Sequence, residues 1–228
     1  MARMSRPALA DTISSALRDA LTFWLPLACA GCGALDESLC SGCRRALAAV
    51  PVPREVAPGV PVLCALEFSG VPARVLRALK EDGRTSLARD LAPALADVLR
   101  AAVVSGALVV PVPSSAAAFR RRGYRPVELL VRRAGWHPER VLRVRRTPAD
   151  QRGLDRIARQ QNVGGAFAAR SVVGRRVVVV DDVVTTGATL IEATRALRAA
   201  GAAEVRAVAL AYTPRRSASE GESQVIAT

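Results

Sequence analysis

Two kinds of hydrophobic pattern alternate along this chain. The residues at 177–180 are four consecutive valines, too uniformly apolar for a half-exposed strand, and predict a strand buried on both faces of a parallel sheet. Two further apolar segments, 63–68 and 107–112, are also predicted strands. Predicted helices occupy 71–79, 87–104 and 190–200. This alternation predicts an α/β fold with an open, mostly parallel sheet flanked by helices.

The four-valine segment is followed by two acids and then by small hydroxyl residues. Asp181 and Asp182 are expected at the carboxyl end of the strand, where open α/β sheets form their ligand crevice. The next loop precedes a helix whose predicted αL cap is Gly201. Its predicted phosphate-binding residues are Thr185, Thr186, Gly187, Ala188 and Thr189.

Free N–H groups and the dipole at a helix N-terminus favour an anion. Gly187 is expected to let the backbone close around this anion. Acids at one end and an anion nest at the other suit a ribose 5-phosphate. For an isolated acid pair, the alternative is a turn with solvated carboxylates and helix-capping threonines. The complete array of strand, acids, loop and helix favours the sugar phosphate.

Four of the five cysteines form two Cys-x-x-Cys pairs separated by seven residues. They are Cys29, Cys32, Cys40 and Cys43. Tight turns that each present two thiolates predict a tetrahedral zinc site with a structural role, because all four positions are filled by the protein. Two disulfides, which a reducing cytosol disfavours, and a redox pair, which needs no second copy, are the alternatives. The isolated Cys64 is predicted to be a small buried hydrophobe.

The patterning also predicts the domain boundaries. Residues 1–28 are predicted as an N-terminal amphipathic helix, 29–50 as a zinc ribbon, 60–213 as the main domain and 214–228 as a disordered tail. Prolines at 51, 53, 58 and 61 indicate a linker between ribbon and main domain. No segment approaches the ~20 apolar residues that span a bilayer, and we expect a cytoplasmic protein.

Several basic positions have two interpretations. Lys80 follows a predicted helix. It is either a cationic C-terminal cap of that helix or a charge directed at pyrophosphate. Pro113 and Ser114 follow a predicted strand and offer donors to an anion. Arg122 belongs to an arginine cluster at 120–122 that is either an anion site or a solvated helix face. The arginine-rich segment 143–162 is either a flap over an anionic ligand or an exposed coil.

The net charge of +13 comes from 33 basic residues, of which Lys80 is the one lysine. Such a surface attracts nucleic acid or acidic metabolites at low salt. Alanine and valine abundance is equally consistent with a GC-rich coding sequence. The charge is therefore compatible with a polyanionic partner without identifying one.

The segment 180–189 resembles the phosphoribosyl pyrophosphate loop of type I phosphoribosyltransferases. Together with the cysteine ribbon and the segments 79–83, 110–113, 122–124 and 147–167, it makes most of the chain resemble ComF-type competence proteins of that superfamily. At 124–126 and 114–115 this chain has Tyr-Arg-Pro and Ser-Ser, where relatives commonly carry Phe-Asn-Gln and His-Pro.

The resemblance implies a phosphoribosyltransferase-type fold and a ligand, phosphoribosyl pyrophosphate, bound with magnesium. Asp181 and Asp182 would hold the ribose hydroxyls, directly or through the ion, while the residues at 185–189 hold the 5-phosphate. Lys80 and Arg122 would face the departing pyrophosphate. The alternative is a non-catalytic accessory protein that docks on DNA or a DNA-translocating helicase through its ribbon and arginines.

Overall fold

The computed structural model describes residues 28–145 and 165–214. Its main sheet has five strands in the order β1-β2-β7-β6-β3, and β4 and β5 form a separate antiparallel pair. The strands are β1 (Val52–Ala57), β2 (Val60–Glu67), β3 (Leu108–Pro111), β4 (Leu142–Val144), β5 (Phe167–Ala169), β6 (Arg176–Val184) and β7 (Glu204–Tyr212). Because β2, β7, β6 and β3 are parallel and β1 alone is antiparallel, the predicted mostly parallel α/β sheet is confirmed.

Six α-helices and one 3₁₀ turn are found within the described residues. The helices are α1 (Ser41–Arg45), α2 (Gly70–Lys80), α3 (Ala88–Ala102), α4 (Ala116–Arg122), α5 (Pro126–Arg133) and α6 (Ala188–Ala199), and the 3₁₀ turn is Thr85–Leu87. The predicted helices at 71–79, 87–104 and 190–200 are therefore present, with ends shifted by a few residues. None of the helices in the two described ranges is long and apolar enough to cross a bilayer.

The valines of β6 are buried on both faces of the sheet. Val178 and Val180 pack into a core formed with α2, α3 and α5. Val177 and Val179 pack into the opposite core with α6 and the β4-β5 pair. All four side chains are at most 1% exposed, so the predicted doubly buried strand is confirmed.

The predicted end of this strand was wrong. β6 continues beyond the valines to Val184, and Asp181 lies in the ladder opposite Ala209 of β7. On the other side, β3 ends at Pro111, opposite Val180. The acids therefore lie inside a strand yet beyond the end of its β3 neighbour, which leaves a step in the sheet beside them.

The predicted proline-rich linker was also wrong. The prolines belong to a hairpin in which β1 pairs antiparallel with β2, with Val52 opposite Cys64. Its turn is formed by Pro58 and by Gly59, whose φ is +75°. Proline has no N–H to donate, but β1 is an edge strand, where proline is tolerated. The hairpin brings residues 52–57 into the main sheet.

Helix α6 ends as predicted. Gly201 has a φ of +91°, and its N–H donates to the Arg198 carbonyl at 3.0 Å. The Ala202 N–H donates to the Leu197 carbonyl at 3.1 Å, which completes a Schellman motif. The predicted N-terminal helix, the basic segment beyond Arg145 and the predicted tail beyond Pro214 lie outside the described residues.

Candidate functional site

The acid pair is partly neutralised by a lysine that is distant in sequence. Lys80, the last residue of α2, places its Nζ 2.9 Å from Oδ1 of Asp182. The two side chains are 26% and 13% exposed, so the ion pair is largely shielded from water. The sequence left Lys80 either as a helix cap or directed at pyrophosphate, whereas the structure places its ammonium on the acid pair.

Asp181 differs from its neighbour in its electrostatics. Burial raises the pKa of Asp181 to about 7, and the negative charge of Asp182 acts in the same direction. The Asp182 N–H, which donates to Oδ1 of Asp181 at 2.8 Å, and the Lys80 charge oppose this rise in pKa. Near neutral pH this carboxyl is therefore poised to exchange a proton, and a cation or hydroxyl donors would favour its ionised form.

Arg122 lies at the same edge, but it contacts backbone. Its Nε donates to the Lys80 carbonyl at 2.7 Å. The Tyr124 hydroxyl donates to the adjacent Leu79 carbonyl. These two side chains satisfy carbonyls at the C-terminus of α2, which lack helical partners. The structure thus brings Asp182, Lys80 and Arg122 together.

The predicted phosphate loop follows β6. Thr185 and Thr186 are exposed, and Ala188 and Thr189 form the first turn of α6 rather than preceding it. Gly187 has a φ of +80°, and a Cβ there would lie 2.6 Å from Cγ1 of Val56. The structure shows two demands on Gly187, its left-handed backbone and the packing of Val56 from β1. That Gly187 lets the backbone close around a ligand stays a prediction.

One wall of the loop comes from residues that the sequence analysis missed. Arg54 of β1 stacks on the ring of Tyr212, with its guanidinium carbon 4.1 Å from the ring centroid. Together with Thr185 and Thr186 they line a small cleft. Only the pairing of β1 with β2 brings Arg54 here, and the prolines in that segment concealed the pairing.

Pro113 and Ser114 follow β3 and line a groove of about 410 Å³. Its basic lining residues are Arg120, Arg125, Arg140 and Arg143. The one carboxylate in the lining, Glu128, binds the Arg140 guanidinium through contacts of 2.8–3.1 Å and lies 3.5 Å from Arg125. Within the described residues, Arg120 and Arg143 form no ion pair, so the groove retains an excess of positive charge.

The four predicted metal ligands converge. Their Sγ atoms all lie within 4.8 Å of one another, and those of Cys32 and Cys40 are 3.7 Å apart. A tetrahedral ion with bonds of about 2.3 Å to sulfur separates its ligands by about 3.8 Å. The five cysteines are all free thiols, so neither alternative disulfide is formed. The geometry is that of a four-thiolate metal site and is compatible with zinc.

The thiols of this cluster are electrostatically unequal. Burial works to raise the pKa of Cys29, but N–H groups of Cys40 and Gly31, at 3.3 and 3.4 Å from its Sγ, outweigh burial and the pKa falls to about 6. Burial raises the pKa of Cys43 to about 12, with the neighbouring thiols adding to the rise. Without a cation, four thiolates cannot coexist at this spacing, whereas a divalent metal would stabilise all four.

Glu192 of α6 is a second group that sequence reasoning missed. It is only 3% exposed, and its carboxylate accepts the Gly165 N–H at 2.8 Å. The partner Arg195, whose Nε lies 2.7 Å away, is the main cause of a lowered pKa at Glu192. Glu192 thus connects the start of β5 to α6, the helix that begins in the predicted phosphate loop. An isolated glutamate on an amphipathic helix carries no sequence signal for this role.

Comparison with known proteins adds to this geometry. Residues 120–225 match the family model described as the phosphoribosyl transferase domain. The match covers a little under half of the chain, which is similar in this region to a phosphoribosyl transferase domain. The match includes Arg122, the acid pair and the loop at 185–189, and it begins after Lys80 and the cysteine cluster.

Two curated relatives match part of the chain. The DNA utilization protein YhgH of Escherichia coli K12 is 38% identical over 112 residues, which are 46% of this chain and 49% of the relative. Competence protein F of Haemophilus influenzae is 37% identical over 113 residues, or 45% and 49% of the two chains. The matched region thus spans about half the length of these relatives.

Among solved structures, a hypoxanthine phosphoribosyltransferase from Staphylococcus aureus is 17% identical. The superposition covers 60% of this chain and 70% of that one, with a TM-score of 0.37. A TM-score this low supports no inference about ligand or activity. The similarity to the phosphoribosyl transferase domain rests on the family match.

Proposed function

We propose that this protein binds phosphoribosyl pyrophosphate with magnesium at the acid pair and transfers the phosphoribosyl group to an acceptor. The observation that carries the proposal is the ion pair between Lys80 and Asp182 at the step beyond β3, on the strand that leads into the loop with the exposed residues Thr185 and Thr186. Carboxylates, a cation and a loop at a helix N-terminus are the groups that a phosphorylated pentose needs. The family match over residues 120–225 supports this ligand class.

In this proposal each group has a definite role. Asp181 and Asp182 accept hydrogen bonds from the ribose hydroxyls, and the loop at 185–189 binds the 5-phosphate. The acceptor nucleophile attacks carbon 1, and the bond from carbon 1 to the pyrophosphate oxygen breaks with its electron pair leaving on pyrophosphate. The positive charge that develops on the sugar ring is stabilised by the nearby carboxylates. Lys80 and Arg122 lie at the same edge and favour the negative charge of the departing group.

Magnesium fits this donor set as a shared ion. Within the described residues, no third carboxylate, thiol or imidazole completes a protein-only site around Asp181 and Asp182. Magnesium usually takes one or two carboxylates and completes its shell with water and substrate phosphates. When bound, it would supply positive charge to the pyrophosphate oxygens. The four cysteines form a separate, closed site for structural zinc.

The ligand proposal is tested by calorimetry with phosphoribosyl pyrophosphate and magnesium. Replacing both acids, by Asp181→Asn and Asp182→Asn, is expected to weaken binding by at least about 100-fold, because the hydroxyl acceptors lose their charge. Asp97→Asn, on the exposed face of α3, is the matched control and should bind as the wild type does. Equal affinity in the double variant and the wild type would remove the acid pair from the site. Pyrophosphate release against a panel of bases, ammonia and nucleic acid then tests turnover and the acceptor.

A second candidate is a DNA-docking role linked to competence, with or without catalysis. It is supported by the arginine groove beside Ser114 and by the names of the two relatives, a DNA utilization protein and a competence protein. Phosphate contacts by Arg120 and Arg143 would release counterions, so affinity should fall steeply between about 50 and 200 mM salt. Binding of single-stranded DNA by an Arg120→Ala, Arg143→Ala variant should be weaker and less salt-dependent than by the Arg198→Ala control. Affinity that is independent of salt would exclude this role.

A further inference from the structure

Helix α2 physically connects the cysteine cluster to the acid pair. In its middle, the fifth residue Arg74 donates from Nε to the carbonyl of Gly31, which lies between Cys29 and Cys32. At its end, Lys80 forms the 2.9 Å ion pair with Asp182. The helix has 11 residues, which span about 16 Å at 1.5 Å per residue. A single helical element therefore contacts both clusters.

The cysteine segment is built into the core around this helix. Cys29, Leu39 and Cys43 are buried in the same cluster as Leu76 and Leu79 of α2. The segment is also bonded to the residues just beyond the helix, because the Arg84 guanidinium donates to the Ser38 carbonyl at 2.9 Å and to its hydroxyl at 3.2 Å. The Arg84 N–H in turn donates to the Ala78 carbonyl at 3.2 Å. Contacts with the cysteine segment thus hold the middle of α2 and the turn that follows its C-terminus.

The fold around the cysteines depends on close approach of the two knuckles. A Cβ on Gly31 would lie 2.7 Å from Cβ of Cys43 and 3.1 Å from Cγ1 of Val71. At Gly31 the first knuckle therefore packs closely against both the second knuckle and α2. Loss of a metal that binds all four thiolates would release this arrangement, because in such segments the free energy of metal binding also stabilises the local fold.

We propose that the metal-loaded cysteine segment positions Lys80 against Asp182, with Arg74 as the positioning residue that transmits the constraint through α2. Metal occupancy and the binding of a magnesium–phosphoribosyl pyrophosphate complex are then coupled, and by linkage each ligand raises the affinity for the other by the same factor. The ligand part of this coupling rests on the proposed function. The positioning of Lys80 does not.

Hydrogen exchange on the full-length chain tests the positioning directly. Removing the metal with a chelator, or Arg74→Ala with all four thiols intact, is expected to speed exchange of the amides at 78–84 by roughly tenfold. Reloading zinc should reverse the first effect. Arg77→Ala is the matched control, because Arg77 is an exposed arginine of the same helix and stacks on Phe68 instead of the cysteine segment.

The outcomes separate the two proposals. If exchange at 78–84 is unchanged in both the stripped protein and Arg74→Ala, the positioning is refuted. If the metal-free protein unfolds globally, hydrogen exchange in the zinc-loaded Arg74→Ala variant alone decides whether the positioning holds. In calorimetry, Arg74→Ala should bind magnesium–phosphoribosyl pyrophosphate about 3- to 10-fold more weakly than Arg77→Ala does. Wild-type protein that binds no phosphoribosyl pyrophosphate would refute the proposed function, while the exchange result would still decide the positioning of Lys80.

Discussion

The cysteine cluster and the acid pair both gather negative charge, and they do so in opposite ways. The four cysteines lie within 15 residues, and they form a complete set of ligands by themselves. The two aspartates are adjacent in sequence, but the cation that pairs with them lies 102 residues away along the chain. A local cluster can be recognised from spacing, whereas a site completed by a distant charge depends on the fold.

The difference also appears in what each region requires. The thiolates need an external divalent ion, because four negative charges repel one another at sulfur separations under 4.8 Å. The acids have a counter-charge in Lys80, and the pKa of Asp181 is about 7. We therefore expect removal of zinc from the cysteine cluster to lower mainly the stability of the protein. Removal of magnesium should lower mainly the affinity of the acid pair for its ligand.

The largest effect is expected from Cys40→Ser. Removing one of four ligands should abolish stoichiometric zinc binding and destabilise the protein by several kcal/mol. The apparent binding free energy of structural zinc in zinc-finger peptides is about 10–16 kcal/mol, and it contributes to folding. Zinc content by elemental analysis and the unfolding midpoint are the measurements. Cys64→Ala is the control, because the thiol of Cys64 lies outside the cluster and its loss should leave zinc content unchanged. Full metal retention in Cys40→Ser would contradict a four-thiolate site.

An intermediate effect is expected from Lys80→Met. It leaves the Asp182 carboxylate, 13% exposed, without its cation, which should cost about 1–2 kcal/mol in urea unfolding at pH 8. Arg100→Met removes one partner of the exposed ion pair with Asp97 and should change stability by less than about 0.5 kcal/mol. If the two substitutions cost the same, Lys80 is an ordinary surface charge and the contrast between the two clusters is lost.

The effect of Asp181→Asn is expected to depend on pH. The pKa of Asp181 is raised by burial from 3.8 to about 7, so the unfolded carboxyl ionises first and the folded state loses stability as pH rises through this window. The substitution removes that loss, so it should stabilise the protein at pH 8 and change its stability little at pH 4. The unfolding midpoints at the two pH values are the measurement.

The cysteine site predicts the opposite sign over the same pH range. Metal binding requires deprotonated thiols, so zinc stabilisation should increase as pH rises. Thermal unfolding of zinc-loaded Asp181→Asn and wild-type protein between pH 5 and 8 separates the two contributions. A stability difference between these proteins that does not vary with pH would show that Asp181 titrates normally.

Much of this protein was accessible from its sequence because the decisive patterns are local. Four valines in a row specified a doubly buried strand, the cysteine spacing specified a four-thiolate cluster, and Gly201 specified the end of α6. Each signal lies in residues that are close together in sequence. Local spacing and side-chain chemistry are therefore enough to predict such features.

Tertiary structure alone decided the rest. The prolines at 51–61 resemble a linker until β1 pairs with β2 at the sheet edge, and that pairing brings Val56 onto Gly187 and Arg54 onto Tyr212. The ion pair of Lys80 with Asp182 and the bond of Glu192 to Gly165 likewise join separate elements. No periodicity or spacing encodes these contacts, because they arise from strand order and from how the helices pack on the finished sheet.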